Sequence, residues 1–444
     1  MLERWGYNVR YIEVPGKGHE NLGKGDVIYP WLLQQTRNEN PKKVRLRAAD
    51  LQTASAYWVK VSLRDNGWQM MNVEAEILEN NIIRVNSDNV LELVLSPASN
   101  LIQYNKSVNV IWNGQIFSFN NLTDNKITLR SKNLKLSATH KTPQIAGPIN
   151  DFTNTPFALV VGTISTDSLM QKVIKLKTDA FVSWWKYTQK FEPRILKDTE
   201  VKDEDLKKYS LFLMGGPMEN KVARQIAKSI PFDIKPTTIS IQGKVFQAPN
   251  AVLEAVYPNP LNPERYIRLV APTSYEGLFF YNPNSMPLSD FDYTITDGRI
   301  TNPVTNGQEK GMGIASGHFD NNWKIDVNSY LNKGNDTSHC AKRVVDKNFR
   351  VDIVNTVTPP AEILNSYKAT YKFEQMDASF EIMVENNELI LDMNGTKFFT
   401  KALSNSEFYI SGFDAVISFQ KGSKNNEFSI DFYQGTYRTK CLKI

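Results

Sequence analysis

Short runs of alternating apolar and polar residues recur along most of this chain, and they constrain its fold more than any other feature. Between residues 43 and 142 the runs include ASAYWVKVSL, VEAEIL, SVNVIWNG and KITLRS, with Asn, Asp and Gly between them. Period-two alternation places every second side chain on one face of a strand, and regularly spaced turn residues reverse the chain. Residues 43–142 are therefore predicted to form an antiparallel β-sandwich.

Strand-like and helix-like patterns alternate in the next segment, residues 143–275. FALVVGT and SLFLMGG are typical of buried strands, and residues 166–189 are typical of an amphipathic helix. The predicted helix carries an apolar stripe made of Leu169, Val173, Leu176, Ala180 and Trp184. We expect a three-layer α/β unit around a mainly parallel sheet.

The rest of the chain has a weakly patterned part and a strongly patterned part. Residues 276–355 are rich in Asn, Asp and Gly, which predicts an irregular, β-rich segment. Residues 356–444 contain strand-like runs with tight turns at ENN and NG, which predicts a small antiparallel β-barrel or sandwich. With a short first unit at residues 1–40, the chain is expected to be multidomain, because 444 residues exceed one hydrophobic core.

Composition limits the classes of partner and site. The net charge of +5 is mild, and no basic block indicates a nucleic-acid partner. No run approaches the roughly 20 apolar residues of a membrane span. Cys340 and Cys441 are too far apart for a metal motif; two ordinary thiols are favoured, and a disulfide stays open. We expect no metal and no cofactor, and the oligomeric state is not predicted.

The segment EVPGKGHE, residues 13–20, carries His19 directly after a predicted strand at residues 5–14. Gly16 and Gly18 allow a tight loop. A histidine at the tip of such a loop can meet a nucleophile on one side and an acid on the other. On the residues alone, His19 is either a catalytic histidine or an ordinary histidine of a surface loop.

The stretch GYNVRYIEVPGKGHE resembles the last strand and histidine loop of α/β-hydrolases of the prolyl oligopeptidase and esterase type, a peptidase family S9-like group. The similarity extends over about residues 5–275, through the helix DVIYPWLLQQTR, the strand with Tyr57 and Trp58, and the stretches LFLMGGPMEN and YPNPLNPERYI. Residues 360–444 are similar to a small β-domain of unknown function in many bacterial hydrolases. The resemblance implies that His19 is the histidine of a catalytic triad acting on esters or peptides.

The order of the triad residues restricts what this chain does alone. In α/β-hydrolases the serine and the acid both precede the histidine. Residues 1–18 contain neither Ser nor Asp, and the chain has no G-x-S-x-G; GIASG at 313–317 has its serine one place too late. We therefore expect the truncated C-terminal portion of a serine hydrolase, inactive by itself.

One expectation follows from a hydrolase strand without its neighbouring strands, and another concerns the compartment of the intact parent. The apolar face of the strand is uncovered, so residues 1–38 are expected to be poorly ordered or packed opportunistically on the β-domain. MLERWGYNVR shows no signal peptide. The resemblance nevertheless implies export of the intact parent to the periplasm or the outside of the cell.

Two further motifs are candidates for binding. Gly215 and Gly216 lie between a strand and a helix with Pro217 at its start, where amides can meet an anion, but a tight βα connection is the favoured interpretation. YPNPLNPERYI, residues 257–267, predicts a rigid turn near Arg265; a structural turn that fixes two strands is the favoured interpretation, and a turn that borders a site is the alternative.

The remaining histidines and aromatic residues are assigned structural roles. His140, His318 and His339 have no partner at metal-ligand spacing and are predicted to be loop or surface residues. Trp184 fits the core stripe of its helix, and GLFFYNP, residues 277–283, is predicted to be a strand or a turn.

Three functional hypotheses stay open. The first is the C-terminal portion of a serine hydrolase. The second is a non-enzymatic binding or accessory protein for peptide, glycan or a surface partner. The third is anion or nucleotide binding at Gly215 and Gly216.

Overall fold

Three separate hydrophobic cores organise the part of the chain that the structure describes. The structure is a computed structural model, and it describes residues 9, 11–16, 25–67, 69–120, 122, 124–131, 134–281, 290–297, 300–301, 313–332, 341–342, 357–393, 395–410, 415–422, 428–434 and 437–444. None of the helices found there is long and apolar enough to cross a membrane.

The first core lies between two sheets of a β-sandwich, antiparallel as predicted except for the parallel pair β5–β7. One sheet has the order β1-β4-β5-β7-β8 and the other the order β2-β3-β6-β9. Every second residue of β4 is buried, which is the pattern of a strand with one face on the core. The strands are β1 (Lys43–Ala48), β2 (Ser55–Ala56), β3 (Val59–Leu63), β4 (Met71–Ile77), β5 (Ile82–Asp88), β6 (Glu92–Leu95), β7 (Val108–Trp112), β8 (Gln115–Phe119) and β9 (Ile127–Arg130).

The second core surrounds an eight-stranded sheet of order β11-β10-β12-β17-β16-β18-β20-β21. Small sheets β13-β14-β15 and β19-β22 accompany it. The strands are β10 (Phe157–Val161), β11 (Arg194–Lys197), β12 (Ser210–Met214), β13 (Phe232–Lys235), β14 (Thr238–Ile241), β15 (Lys244–Gln247), β16 (Val252–Asn259), β17 (Asn262–Pro272), β18 (Tyr293–Thr296), β19 (Ile300–Thr301), β20 (Gly313–Phe319), β21 (Ile325–Asn332) and β22 (Ala341–Lys342).

Within residues 143–275 the prediction of a mainly parallel sheet is confirmed for the large sheet, because three of its four strand pairs there are parallel. Over the whole sheet, the pairs β10–β11, β10–β12 and β12–β17 are parallel, and the remaining neighbours are antiparallel. β16 and β17 are joined by the short turn near Pro258, and a connection of that length permits only an antiparallel pair. β18, β20 and β21 then extend the same sheet into the segment predicted to be irregular.

Six α-helices accompany these sheets in the described part of the chain. They are α1 (Gly25–Leu33), α2 (Ser168–Gln189), α3 (Asp203–Lys208), α4 (Lys221–Ile226), α5 (Tyr275–Phe280) and α6 (Ala361–Ser366), with short 3-10 helices at Ile149–Asn154 and Ala227–Ser229. Helices α2, α3 and α5 contact the large mixed sheet. The long predicted helix is confirmed as α2, whose N-cap Asp167 accepts a hydrogen bond from the backbone N–H of Leu169. Its buried face includes Trp185, whereas Trp184 is only partly buried.

Two helix predictions need correction. GLFFYNP does not form a strand, because residues 275–280 form α5, where the Ser274 hydroxyl accepts a hydrogen bond from the Gly277 N–H at 3.0 Å. Pro217 does not lie in a first helical turn, because α4 begins at Lys221 after the N-cap Asn220.

The third core fills a closed eight-stranded barrel, so the structure selects the barrel over the sandwich for this segment. Its strands are β23 (Ala369–Phe373), β24 (Ser379–Glu385), β25 (Glu388–Met393), β26 (Thr396–Ala402), β27 (Glu407–Ile410), β28 (Ala415–Lys421), β29 (Phe428–Gln434) and β30 (Tyr437–Lys443). Helix α6 precedes the barrel, and Tyr367 after it stacks on Phe419 with ring centroids 3.7 Å apart. Aromatic packing therefore fills the barrel.

The described part of the N-terminal segment, residues 9, 11–16 and 25–40, contains helix α1 and no strand. Residues 11–14 are not in a strand, and the other positions of the predicted hydrolase strand, except residue 9, lie outside the described residues. The predicted helix is present as α1. The α/β-hydrolase layering expected for residues 1–40 is therefore not shown.

Candidate functional site

His19, the residue predicted to be catalytic, lies outside the described residues, as does His339. The neighbouring Gly16 is described and has a φ of 73°, in the left-handed region that favours glycine. The assignment of His19 therefore stays a prediction from the sequence.

The turn at Gly215 and Gly216 uses its amides within the chain. The Gly216 N–H donates to the Glu219 carboxylate at 2.9 Å, and the Lys221 N–H donates to Asp198 at 2.6 Å. The Asn220 side chain accepts from the next two amides of α4. An anion at this turn would compete with groups already in place, which favours the tight βα connection.

The carboxyl group of Glu219 is the titratable group of this turn. Its side chain is buried, and burial raises the pKa of its carboxyl to about 7 although the Gly216 N–H opposes the shift. A Cβ on Gly215 would lie 2.8 Å from the Glu219 Cβ, and the φ of Gly215 is 105°, so both space and backbone conformation require glycine at this position. The crevice at these strand ends is filled by the chain itself.

The turn of YPNPLNPERYI borders a large cavity, which we call the junction cavity. It has a volume of about 810 Å³, within the range of small-molecule sites. Its wall comes from the sandwich, from the linker after it, and from the amino ends of β10, β12 and β17. The lining residues are Gln52, Lys60, Ala138–His140, Thr142–Ile145, Asn154–Pro156, Ser210 and Pro263–Tyr266. The interpretation that this motif borders a site thus gains a physical basis.

The lining of the junction cavity is polar and carries more positive than negative charge. Lys60 and Arg265 contribute cations, and Glu264 contributes the one lining carboxylate among the described residues. The Arg265 side chain is held by a hydrogen bond from its Nε to the Lys207 carbonyl at 3.2 Å. His140 is a loop residue, as predicted, and its Nδ1 lies 3.0 Å from the Ser137 carbonyl. Such a lining suits a polar ligand.

A buried hydrogen-bonded group lies behind the wall of the cavity. The Tyr266 hydroxyl donates to Asp151 at 2.6 Å and accepts from the backbone N–H groups of Ala146 and Gly147 at 2.7 and 2.8 Å. Burial raises the pKa of Asp151 to about 6, and it raises the pKa of Tyr266 well above its ordinary value. These bonds fix the linker against β17.

An ion pair beside this group joins the linker to the sheet. The Lys141 ammonium lies 2.5 Å from Asp292, and both side chains are almost completely buried. Asp292 also accepts from the Phe319 N–H at 2.8 Å. Burial opposes ionisation of Asp292, but the charge of Lys141 and the contact with His318 outweigh it, so the pKa of Asp292 is lowered.

His318 is not a surface residue, and its prediction as a loop or surface histidine is wrong. It lies in β20 with 4% exposure, and its Nδ1 is 3.6 Å from the Asp292 carboxylate. No local sequence pattern indicates that His318, Asp292 and Lys141 lie together, because the three residues are far apart in sequence. The adjacent Gly147 has a φ of 70°, and a Cβ there would lie 1.9 Å from Asp292.

These buried groups connect the sandwich, the linker and the mixed sheet, which is a structural role. Arg64 of the sandwich is buried, and its carbonyl accepts a hydrogen bond from the Asn321 side chain of the β20–β21 turn at 2.6 Å. Burial lowers the pKa of Arg64, and Asp292 partly offsets this. The network therefore holds the sandwich, the linker and the mixed sheet together below the junction cavity.

The described part of the chain contains no candidate metal site. No group of three His, Cys, Asp or Glu residues lies close enough there to hold an ion. No protein-family model matches the chain, and no curated protein matches it either.

Proposed function

We propose that this chain acts as the C-terminal, non-catalytic portion of a serine hydrolase that cleaves ester or peptide bonds. The resemblance of GYNVRYIEVPGKGHE to a hydrolase strand and histidine loop supports the proposal, and so does the character of α1. In the intact parent, a serine attacks the substrate carbonyl, His19 accepts its proton, and an acid orients His19.

Helix α1 is the observation that carries the proposal. Most of its residues are apolar, yet no residue of this fully described helix is buried. Tyr29 is 67% exposed and Leu33 is 86% exposed. An exposed apolar surface of this kind is typical of a binding face. The resemblance assigns α1 to the end of a hydrolase domain, and we infer that its apolar residues pack on that domain in the parent.

The inactivity of the chain alone is tested with a chromogenic ester. We expect the chain to hydrolyse it no faster than a His19→Ala variant, because the serine and the acid of the triad are not supplied before His19. Hydrolysis that disappears in His19→Ala would contradict this expectation. His140→Ala, at a partly buried loop histidine outside the proposed triad, serves as the matched control.

The second candidate is a non-enzymatic binding protein, and the junction cavity favours it. A cavity of about 810 Å³ with Lys60, Arg265 and several amide side chains can hold a polar ligand without any triad. A thermal-shift screen with peptides and glycans tests it. A gain in melting temperature that is lost in Arg265→Gln would support binding there, and no gain with any ligand would count against it.

A further inference from the structure

A second cavity lies between α2 and the C-terminal barrel, and we call it the α2–barrel cavity. Its volume is about 610 Å³. One wall comes from α2, and the opposite wall comes from the segment before α6 and from β25 and β26. The lining residues are Lys172, Lys175, Leu176, Val357–Pro359, Leu364, Asn386–Leu389, Thr400–Ala402 and Phe408. Small-molecule sites are common at such junctions.

The cavity presents a cationic edge. Three lysines line it, Lys172 and Lys175 from α2 and Lys401 from β26, whereas Glu388 is the one acidic lining residue among those described. Each positive charge favours an anion, and water screens Lys401, which is 33% exposed, less than Lys175, which is 73% exposed.

The chain already shows that this edge accepts a carboxylate. Asp179 of α2 lies 2.8 Å from the Lys401 ammonium and 3.2 Å from the Lys175 ammonium. One carboxylate thus brings lysines of α2 and of the barrel together. Asp179 itself does not line the cavity.

The inner part of the cavity is apolar. Leu176, Leu364, Leu389 and Phe408 line it, and all four belong to hydrophobic cores. These four side chains are at most 4% exposed, so the apolar surface left for a ligand is that of Val357, which lines the cavity and is 46% exposed. A ligand with an apolar body gains free energy by covering it, at about 25 cal/mol for each Å² removed from water. Charge at one end and apolar surface at the other select an amphiphilic ligand.

We propose that the α2–barrel cavity binds a small carboxylate with a short apolar body, with its carboxylate at Lys172, Lys175 and Lys401. This site does not depend on the proposed hydrolase function, and it adds a ligand to the junction where the barrel meets α2. The bound carboxylate strengthens that junction, since it contacts lysines from both sides.

The test uses the full chain and isothermal titration calorimetry with hexanoate, acetate and hexanol. We expect hexanoate to bind about tenfold more tightly than acetate, which lacks the apolar body. Hexanol lacks the charge, so we also expect it to bind about tenfold more weakly than hexanoate.

Two variants act in opposite directions. Lys401→Gln should weaken hexanoate binding about fivefold, because it removes one ammonium. Asp179→Asn should strengthen it about fivefold, because it removes the competing internal carboxylate. Loosening of the junction cannot explain a gain, so the pair separates ligand binding from a structural effect. Lys197→Gln, at an exposed ion pair with Glu200, is the matched control and should change nothing.

Three results would overturn the proposal. One is the absence of saturable heat with hexanoate. Another is equal affinity for hexanoate and hexanol, which would mean that the lysines do not contribute to binding of the carboxylate. The third is weaker binding in Asp179→Asn, which would mean that the ion pair, and not the cavity, governs the signal.

Discussion

Glu219 should make the stability of this protein fall as the pH rises from acidic to neutral. Burial raises the pKa of its carboxyl in the folded state from 4.5 to about 7. The folded state therefore holds a proton that the unfolded state releases between these values. The stabilising contribution is fully present below about pH 4.5 and is lost as the pH passes about 7. Since one pKa unit corresponds to about 1.4 kcal/mol, the full effect is about 3 kcal/mol.

Replacement of Glu219 by Gln tests this account. The amide is neutral at every pH, and its oxygen can still accept the hydrogen bond that the Gly216 N–H now donates to the carboxylate. We expect the variant and the wild type to be similar near pH 4.5, and the variant to be more stable at pH 8 by up to about 3 kcal/mol. Urea unfolding followed by tryptophan fluorescence at both pH values measures the difference.

The comparison between wild type and variant removes the contribution of Asp151, which titrates in part of the same range. Glu200→Gln is the control, because Glu200 is 55% exposed and its replacement should give no pH-dependent difference. A stability difference between Glu219→Gln and the wild type that is the same at pH 4.5 and pH 8 would refute the reasoning.

Three further predictions concern the ion pair, helix α1 and the barrel. Asp292→Asn should reduce the free energy of unfolding by about 3–5 kcal/mol, because it leaves Lys141 buried without its carboxylate, and Lys141→Met in the same chain should restore part of the loss; a cost below about 1 kcal/mol in urea would contradict this. Ile28→Gln with Leu32→Gln should change the free energy of unfolding by less than about 0.5 kcal/mol and reduce binding of a hydrophobic dye, and a large loss of stability would show that α1 is packed. Cys441 is buried with its pKa raised to about 12, so the folded protein should resist iodoacetamide at pH 8 until it is unfolded, and rapid labelling of the folded protein would contradict its burial.

The strands of the sandwich and the barrel were predictable because their determinants are local. In β1 the residues Val44, Leu46 and Ala48 are buried and those between them are exposed, so the alternation in the sequence is the alternation in the structure. The ENN turn before β25 has positive φ at Asn386 and Asn387, as its composition indicates. Closure into a barrel was not predictable, because the β23–β30 pair joins residues from opposite ends of the segment.

The antiparallel pairing of β16 with β17 was not predicted separately, although a local signal existed. β16 ends at Asn259 and β17 begins at Asn262, and so short a connection excludes a parallel crossover. Helix α5 was missed for a different reason. Its apolar run is compatible with helix or strand, and only the capping contact of Ser274 with Gly277 decides between them.

The buried network of Lys141, Asp292 and His318 could not be predicted from the sequence. Lys141, Asp292 and His318 come from a linker and from the two strand regions that it crosses, and each looks like an ordinary surface residue in its own segment. Lys177 is similar, since it lies in α2 with no exposure and its ammonium is 5.3 Å from the ring centroid of Phe279. Pairing between distant segments, and not local composition, decides which charged residues are buried.

The proposal that this chain belongs to a serine hydrolase, with His19 as the triad histidine, is tested most directly by the DNA sequence upstream of the Met1 codon. The account predicts a reading frame there, in phase or one frameshift away, that encodes G-x-S-x-G followed by an Asp. An upstream sequence that encodes neither the serine motif nor the acid in any frame would contradict it.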